Sequence, residues 1–181
     1  MQPLKLIIPL NGLAQGVTEF SWRIDKEFFV SFENTEIIGA DLDVNVRAQK
    51  SGRYIGIDCD IDGDVTVPCD RCLEDLHLPV HTTALQSIKF GAEPAGDNVQ
   101  EGEREIVFLP DTDTDLDLSQ TVYDYVCVAL PLQRVHEEGE CNPETVKYLK
   151  SEDEIDDDPK PSSEPVNSPF AALKGLLDAK N

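Results

Sequence analysis

Positive charge is scarce in this 181-residue sequence: 15 Lys and Arg stand against 36 Asp and Glu, for a formal net charge of −21. Proteins that hold a phosphate backbone use clustered Lys and Arg, which release condensed counterions. Here Lys5, Arg23, Lys26, Arg47, Lys50 and Arg53 are scattered singly through the first third. Direct nucleic-acid binding is therefore not expected, and a basic protein partner suits the field better. Long apolar runs are missing too. Met1–Leu10 is interrupted by Lys5 and Pro9 and reads as neither a signal peptide nor a span. No uncharged apolar segment approaches the roughly 18–20 residues of a transmembrane helix. The expectation is a cytoplasmic protein without membrane association, with its five cysteines kept reduced. Catalytic signatures are also absent: there is no nucleophile elbow, phosphate-binding glycine loop or metalloprotease helix. The three histidines form no recognisable triad, so an enzyme is not expected.

What is present is strand pattern. Phe28, Val30 and Phe32 alternate with Phe29, Ser31 and Glu33, and Leu42, Val44 and Val46 alternate with Asp41, Asp43, Asn45 and Arg47, the period of half-buried strands. Ile55, Ile57, Cys59 and Ile61 face one way while Gly56, Asp58, Asp60 and Asp62 face the other. Asp62-Gly63 predicts a turn, with Val65 and Val67 on a returning strand that ends at Cys69 and Cys72. Leu76, Leu78, Val80, Thr82 and Ala84 continue the alternation, with a bulge predicted near Gln86 before Ile88 and Phe90. Gly91 to Gly102 reads as an exposed loop, Ile106 to Leu109 as a short strand, and Pro110 to Asp117 as an acidic loop.

Helices belong to the second half. Ser119 is placed to cap a helix carrying Val122, Tyr125, Val126, Ala129 and Leu130 on one face, which Pro131 ends. A shorter one starts at the Asn142 cap with Pro143 in its first position. The division is a β-rich core over 1–150, an acidic linker over 151–168, and a short amphipathic helix over 169–181. The fold class is α+β, mainly antiparallel β with two or three short helices in the C-terminal half.

Cys69 and Cys72 are the most informative pair. Two thiols at this spacing grip one metal ion or form one redox couple. Cys69, Cys72, His136 and Cys141 make a four-ligand set for structural zinc. In the competing structural reading, the two cysteines form a tight turn with one thiol packed inward and Arg71 exposed, and His136 is a solvated loop residue. A redox couple would need a strand-to-helix junction in an alternating pattern that the chain lacks. Cys59 and Cys127 read as core. His77 and His81 lie on the outward face of their strand without a third ligand. Asp58 to Gly63 imitates the first half of a calcium loop, but the twelfth position is Cys69 and the interleaved isoleucines mark a strand.

Cys-Asp-Arg-Cys-Leu-Glu at 69–74 resembles the signature of the YceD-like family of large-subunit ribosomal RNA accumulation proteins. Asp115-Leu116-Asp117-Leu118-Ser119, the helix closing on Ala129-Leu130-Pro131-Leu132, and the end Asn167-Ser168-Pro169-Phe170-Ala171-Ala172-Leu173-Lys174-Gly175-Leu176-Leu177 are similar to its later blocks. The resemblance implies a non-enzymatic factor supporting accumulation or processing of the large ribosomal RNA, with a barrel-like fold and no catalytic residues. The expected partner is a basic ribosomal protein or ribosome-assembly factor, contacted through Arg71, Phe170, Leu173 and Leu176. The alternative is a zinc-stapled interaction module without a ribosomal role.

Overall fold

The computed structural model of the protein describes residues 4–91 and 103–149. Most of the loop expected at 91–102, the linker at 151–168, and the tail with Phe170, Leu173 and Leu176 lie outside the described residues. A five-stranded sheet dominates, in the order β2 (Gly16–Asp25), β3 (Gly39–Ser51), β4 (Tyr54–Pro68), β5 (Asp75–Phe90), β6 (Glu105–Leu109). β1 (Ile7–Pro9) pairs separately with β7 (Asp115–Asp117). The first three ladders of the large sheet are antiparallel, but β6 runs parallel to the end of β5. The expected barrel is not found: β2 and β6 are opposite edges, and no pairing between them closes the sheet among the described residues.

The alternation read from sequence sets the two faces. Leu42, Val44, Val46 and Ala48 of β3 meet Ile57, Cys59, Ile61 and Val65 of β4 on the buried side, and β5 adds Val80, Ala84 and Ile88. Fully burying one such side chain contributes about 1.5–3 kcal/mol, so this face carries much of the folding energy. α2 (Ser119–Ala129) covers it through Val122 and Val126, and the N-terminal Leu6, Ile8, Leu10 and Leu13 fill the same core.

Several local expectations are corrected. No turn forms at Asp62-Gly63; β4 runs straight through, pairing Gly63 with Leu42 on one side and Val80 on the other. Glycine is required there because φ is +144° and a Cβ would sit 2.2 Å from the Asp41 carbonyl oxygen. The β3–β4 turn is instead at Gly52-Arg53, with Gly52 at φ +61° in the first central position, where a two-residue hairpin loop favours glycine. The register past Gln86 is unbroken, so there is no bulge. Gln86 simply faces inward as a polar residue, its amide donating to Glu105 Oε2 at 3.1 Å and Thr121 Oγ1 at 3.2 Å.

The strand expected at Phe28 to Phe32 is a short helix, α1 (Lys26–Val30), capped by Asp25, whose carboxylate accepts from the Glu27 N–H at 2.9 Å. Phe28, Phe29 and Phe32 share a helical face toward α2, where Phe32 stacks on Tyr123 at 4.4 Å. The period-two reading instead enlisted Val30, which is exposed. Within the expected acidic loop, Leu116 is buried and anchors β7 against Ile8. Ser119 does not cap α2: Asp117 accepts from its N–H at 2.9 Å, while its hydroxyl accepts from the Leu6 N–H at 3.0 Å. Leu130 ends the helix in an extended conformation, as a residue before proline prefers.

Candidate metal centre

The six residues between Pro68 and Asp75 form the tip of the β4–β5 hairpin, and both cysteines of the pair sit in it. The tip closes on itself: the Cys69 N–H donates to the Glu74 carbonyl at 2.8 Å and the Leu73 N–H to the Cys69 carbonyl at 2.9 Å. The bend puts Leu73 at φ +63° and turns both thiols inward, Cys69 at 0% exposure and Cys72 at 4%. Leu73 itself stays exposed.

The other half arrives from the arm that follows α2. Asp70 and Arg134 bond reciprocally: the Asp70 N–H donates to the Arg134 carbonyl at 2.7 Å, and the Arg134 N–H donates to Asp70 Oδ2 at 2.8 Å. The Arg134 guanidinium also pairs with Glu36 at 2.8 Å. Eight residues on, Asn142 donates to Glu74 Oε1 at 2.6 Å while capping α3 (Pro143–Val146) by accepting from the Glu144 N–H at 2.9 Å. Between these two fastenings lie His136 and Cys141.

The four expected ligands therefore converge, their donor atoms all within 4.8 Å of one another. Cys69 Sγ lies 3.9 Å from Cys141 Sγ, and His136 Nδ1 lies 3.4 Å from Cys72 Sγ and 3.9 Å from Cys141 Sγ. Tetrahedral zinc, with Zn–S about 2.3 Å and Zn–N about 2.0–2.1 Å, spaces its ligand atoms roughly 3.5–3.8 Å apart. The set is close enough to hold a metal ion. The supporting shell fits as well. His136 Nε2 lies 3.1 Å from the Asp75 carbonyl, which as acceptor fixes the proton on Nε2 and leaves the Nδ1 lone pair facing the thiols. The Arg71 N–H donates to Cys69 Sγ at 3.4 Å.

Electrostatics in the metal-free cluster are divided: one thiol is lowered while its two partners are raised. Burial opposes the Cys69 thiolate, but hydrogen bonds from the backbones of Cys72, Arg71 and His136 and from the Cys72 side chain outweigh it and bring the thiol down to about 6. The bond to Cys69 is the main cause that raises His136. Burial first, then the neighbouring Cys69 and Cys72, raises Cys141. A cation placed among these donors would stabilise all the thiolates together.

The other cysteines are structural. Burial, aided by Asp60, pushes the Cys59 thiol up to about 12. Burial likewise raises Cys127, which accepts from the Asn34 amide at 3.7 Å. His77 and His81 are exposed and bond to Thr66 and Asp62 instead of meeting at a common ion. The aspartates of the calcium-like run line the outer face of β4, with Asp58 on Arg104, Asp60 on Thr83 and Asp62 on His81. Arg71 is exposed beside the centre. The sequence reading overlooked Asp70 and Arg134, although Asp70 lies inside the Cys-Asp-Arg-Cys block, and gave Asn142 its capping role without its bond to Glu74.

No curated protein and no solved structure matches the chain. The family model described as large ribosomal RNA subunit accumulation protein YceD matches residues 57–177, a span that holds most of β4, all of β5 and α2, and all four converging side chains. The chain belongs to the YceD family of large ribosomal RNA subunit accumulation proteins.

Proposed function

We propose that the protein is a non-enzymatic, cytoplasmic ribosome-biogenesis factor that supports large-subunit ribosomal RNA accumulation by contacting a basic ribosomal protein or assembly factor. The observation that carries this reading is the outer face of the sheet. In the β3–β4 register Asp43 lies directly opposite Asp62, and Asp41 opposite Asp64, with Asp60 beside them. Like charges placed directly across a ladder destabilise a sheet, and a cationic surface laid on this face would relieve that repulsion. Five of the six described arginines offer RNA little in return: Arg23, Arg47, Arg53, Arg104 and Arg134 are each held by a carboxylate, and only Arg71, exposed beside the metal centre, is not.

Zinc at Cys69, Cys72, His136 and Cys141 has a structural role in this reading. It ties the arm to the hairpin tip and supplies no step of a reaction. The test is genetic and biochemical together. Deleting the gene in its host is expected to lower mature large-subunit RNA or accumulate its precursor. Wild-type protein should restore the level, and a D43N/D60N/D62N/D64N variant should fold but fail to restore it or to retain its basic partner. Unchanged RNA levels on deletion would reject the ribosomal role.

A further inference from the structure

The long edge strand β2 lacks the proline, bulge and inward-pointing charge that natural sheets use to prevent edge pairing, its charges Glu19, Arg23 and Asp25 all lying on the outward face. Over Gly16–Asp25 it has ten residues, no proline, and an unbroken register with β3. Its other edge pairs with no strand among the described residues. Proteins usually blunt such an edge with a proline, a bulge or an inward charge. Here the exposed row Glu19, Ser21, Arg23 lies on the acidic face, and Phe20 stacks on Trp22 on the other face, half-buried, with ring centroids 5.8 Å apart.

We propose that β2 is the seam of a homodimer, two copies pairing their β2 strands antiparallel about a two-fold axis normal to the sheet at Ser21. Such an axis keeps the acidic face on the same side in both copies, so odd-numbered residues face odd and even face even. Centring on Ser21 sets Glu19 opposite Arg23 and Phe20 opposite Trp22, and the symmetry repeats both matches. Moving the centre to Phe20 faces Arg23 with Val17, and moving it to Trp22 faces Glu19 with Asp25. Only the Ser21 centre sets Glu19 against Arg23 and Phe20 against Trp22 at once, with Val17 left opposite Asp25 at each outer end.

Both charged groups are placed to serve. Their side chains are 74% and 68% exposed, and the Arg47–Glu19 pair is long at 3.8 Å. Arg23 forks onto Asp41 at 2.7 and 2.6 Å, which orients the guanidinium while engaging two of its five donors. The net charge of −21 opposes association of two copies. At physiological ionic strength charges more than about 8 Å apart are largely screened, so the pairs along the seam decide the outcome.

Sedimentation equilibrium of the full chain at physiological salt tests this. Wild type is expected to be a dimer. E19R alone and R23E alone each set like charges across both ends of the seam, and each should weaken the dimer at least tenfold. An equimolar mixture of the two single variants restores opposite charges at both ends and should recover the wild-type association, as should the double variant E19R/R23E. Near-UV circular dichroism at Trp22 verifies that each variant is folded. A wild-type protein that stays monomeric up to about 0.1 mM, the weak end of specific association, would overturn the proposal. So would a mixture no tighter than the single variants, or an edge occupied by a different protein.

Discussion

Along β4, Ile55, Ile57, Cys59, Ile61, Val65 and Val67 are all buried among apolar neighbours. The hairpin tip and the arm at 134–142 meet instead through thiols, an imidazole, the reciprocal Asp70–Arg134 bonds and the Asn142–Glu74 contact. One region is held by water leaving hydrocarbon, which needs no ion and little directional geometry. The other is held by groups whose strength depends on protonation and, in our reading, on a metal. The two regions should therefore respond to different insults.

The largest separation should come from metal removal. Apparent zinc-binding free energies at four-ligand structural sites are about 10–16 kcal/mol, far above what the arm's hydrogen bonds supply. Chelation is expected to abolish amide hydrogen-exchange protection over 134–142 while leaving 55–67 protected. Equal loss in both regions would erase the distinction. The metal-free protein should also be acid-sensitive. Because the folded Cys69 thiol lies near 6, below its ordinary value, its contribution is present above that ordinary value and is lost as pH falls through about 6. Thiolate absorbance followed against pH reads this directly.

A core substitution should do the converse. Ile57 is fully buried opposite Ala48 and Gln86, and Ile57→Ala should cost about 2–5 kcal/mol in denaturant unfolding while leaving metal stoichiometry intact. Smaller still is Leu73→Gly. Leu73 holds φ +63° at the exposed tip, and relieving that strain should stabilise the metal-loaded protein by roughly 0.5–1 kcal/mol after the entropy of glycine is subtracted. A loss instead would assign the Leu73 side chain a packing role.

The smallest effect sharpens the acidic face. The hydrogen bond and charge of Asp62 raise His81 above its ordinary pKa, so the favourable pairing is complete below that ordinary value and disappears as pH rises through the raised one. Asp62→Asn should shift the His81 titration downward in an NMR experiment. An unchanged titration would show that the two side chains do not pair in solution.

The sheet and the ligand set were both legible in the sequence, for different reasons. Alternating Ile and Asp over 55–62 showed which face of β4 is buried, and two-residue cysteine spacing with a His and a Cys downstream marked the four side chains that converge closely enough to hold an ion. Gly63 misled because Asp-Gly is a turn signal locally, whereas here glycine answers the close approach of the neighbouring β3 backbone. Phe28 to Phe32 misled because three aromatics at 28, 29 and 32 satisfy a helical face and nearly satisfy an alternating one. Sheet closure, the parallel pairing of β6, and the Asp70–Arg134 clasp depend on partners far apart in sequence, for which local pattern carries no signal. The family resemblance held over the matched residues, but the barrel it implied did not.

The central claim is that a metal ion joins the hairpin tip to the arm. The most direct test is elemental analysis of protein purified under reducing, chelator-free conditions, beside a C69S/C72S variant. One zinc per chain in the wild type and none in the variant is the predicted result. Less than about a tenth of an equivalent in folded wild-type protein would contradict it.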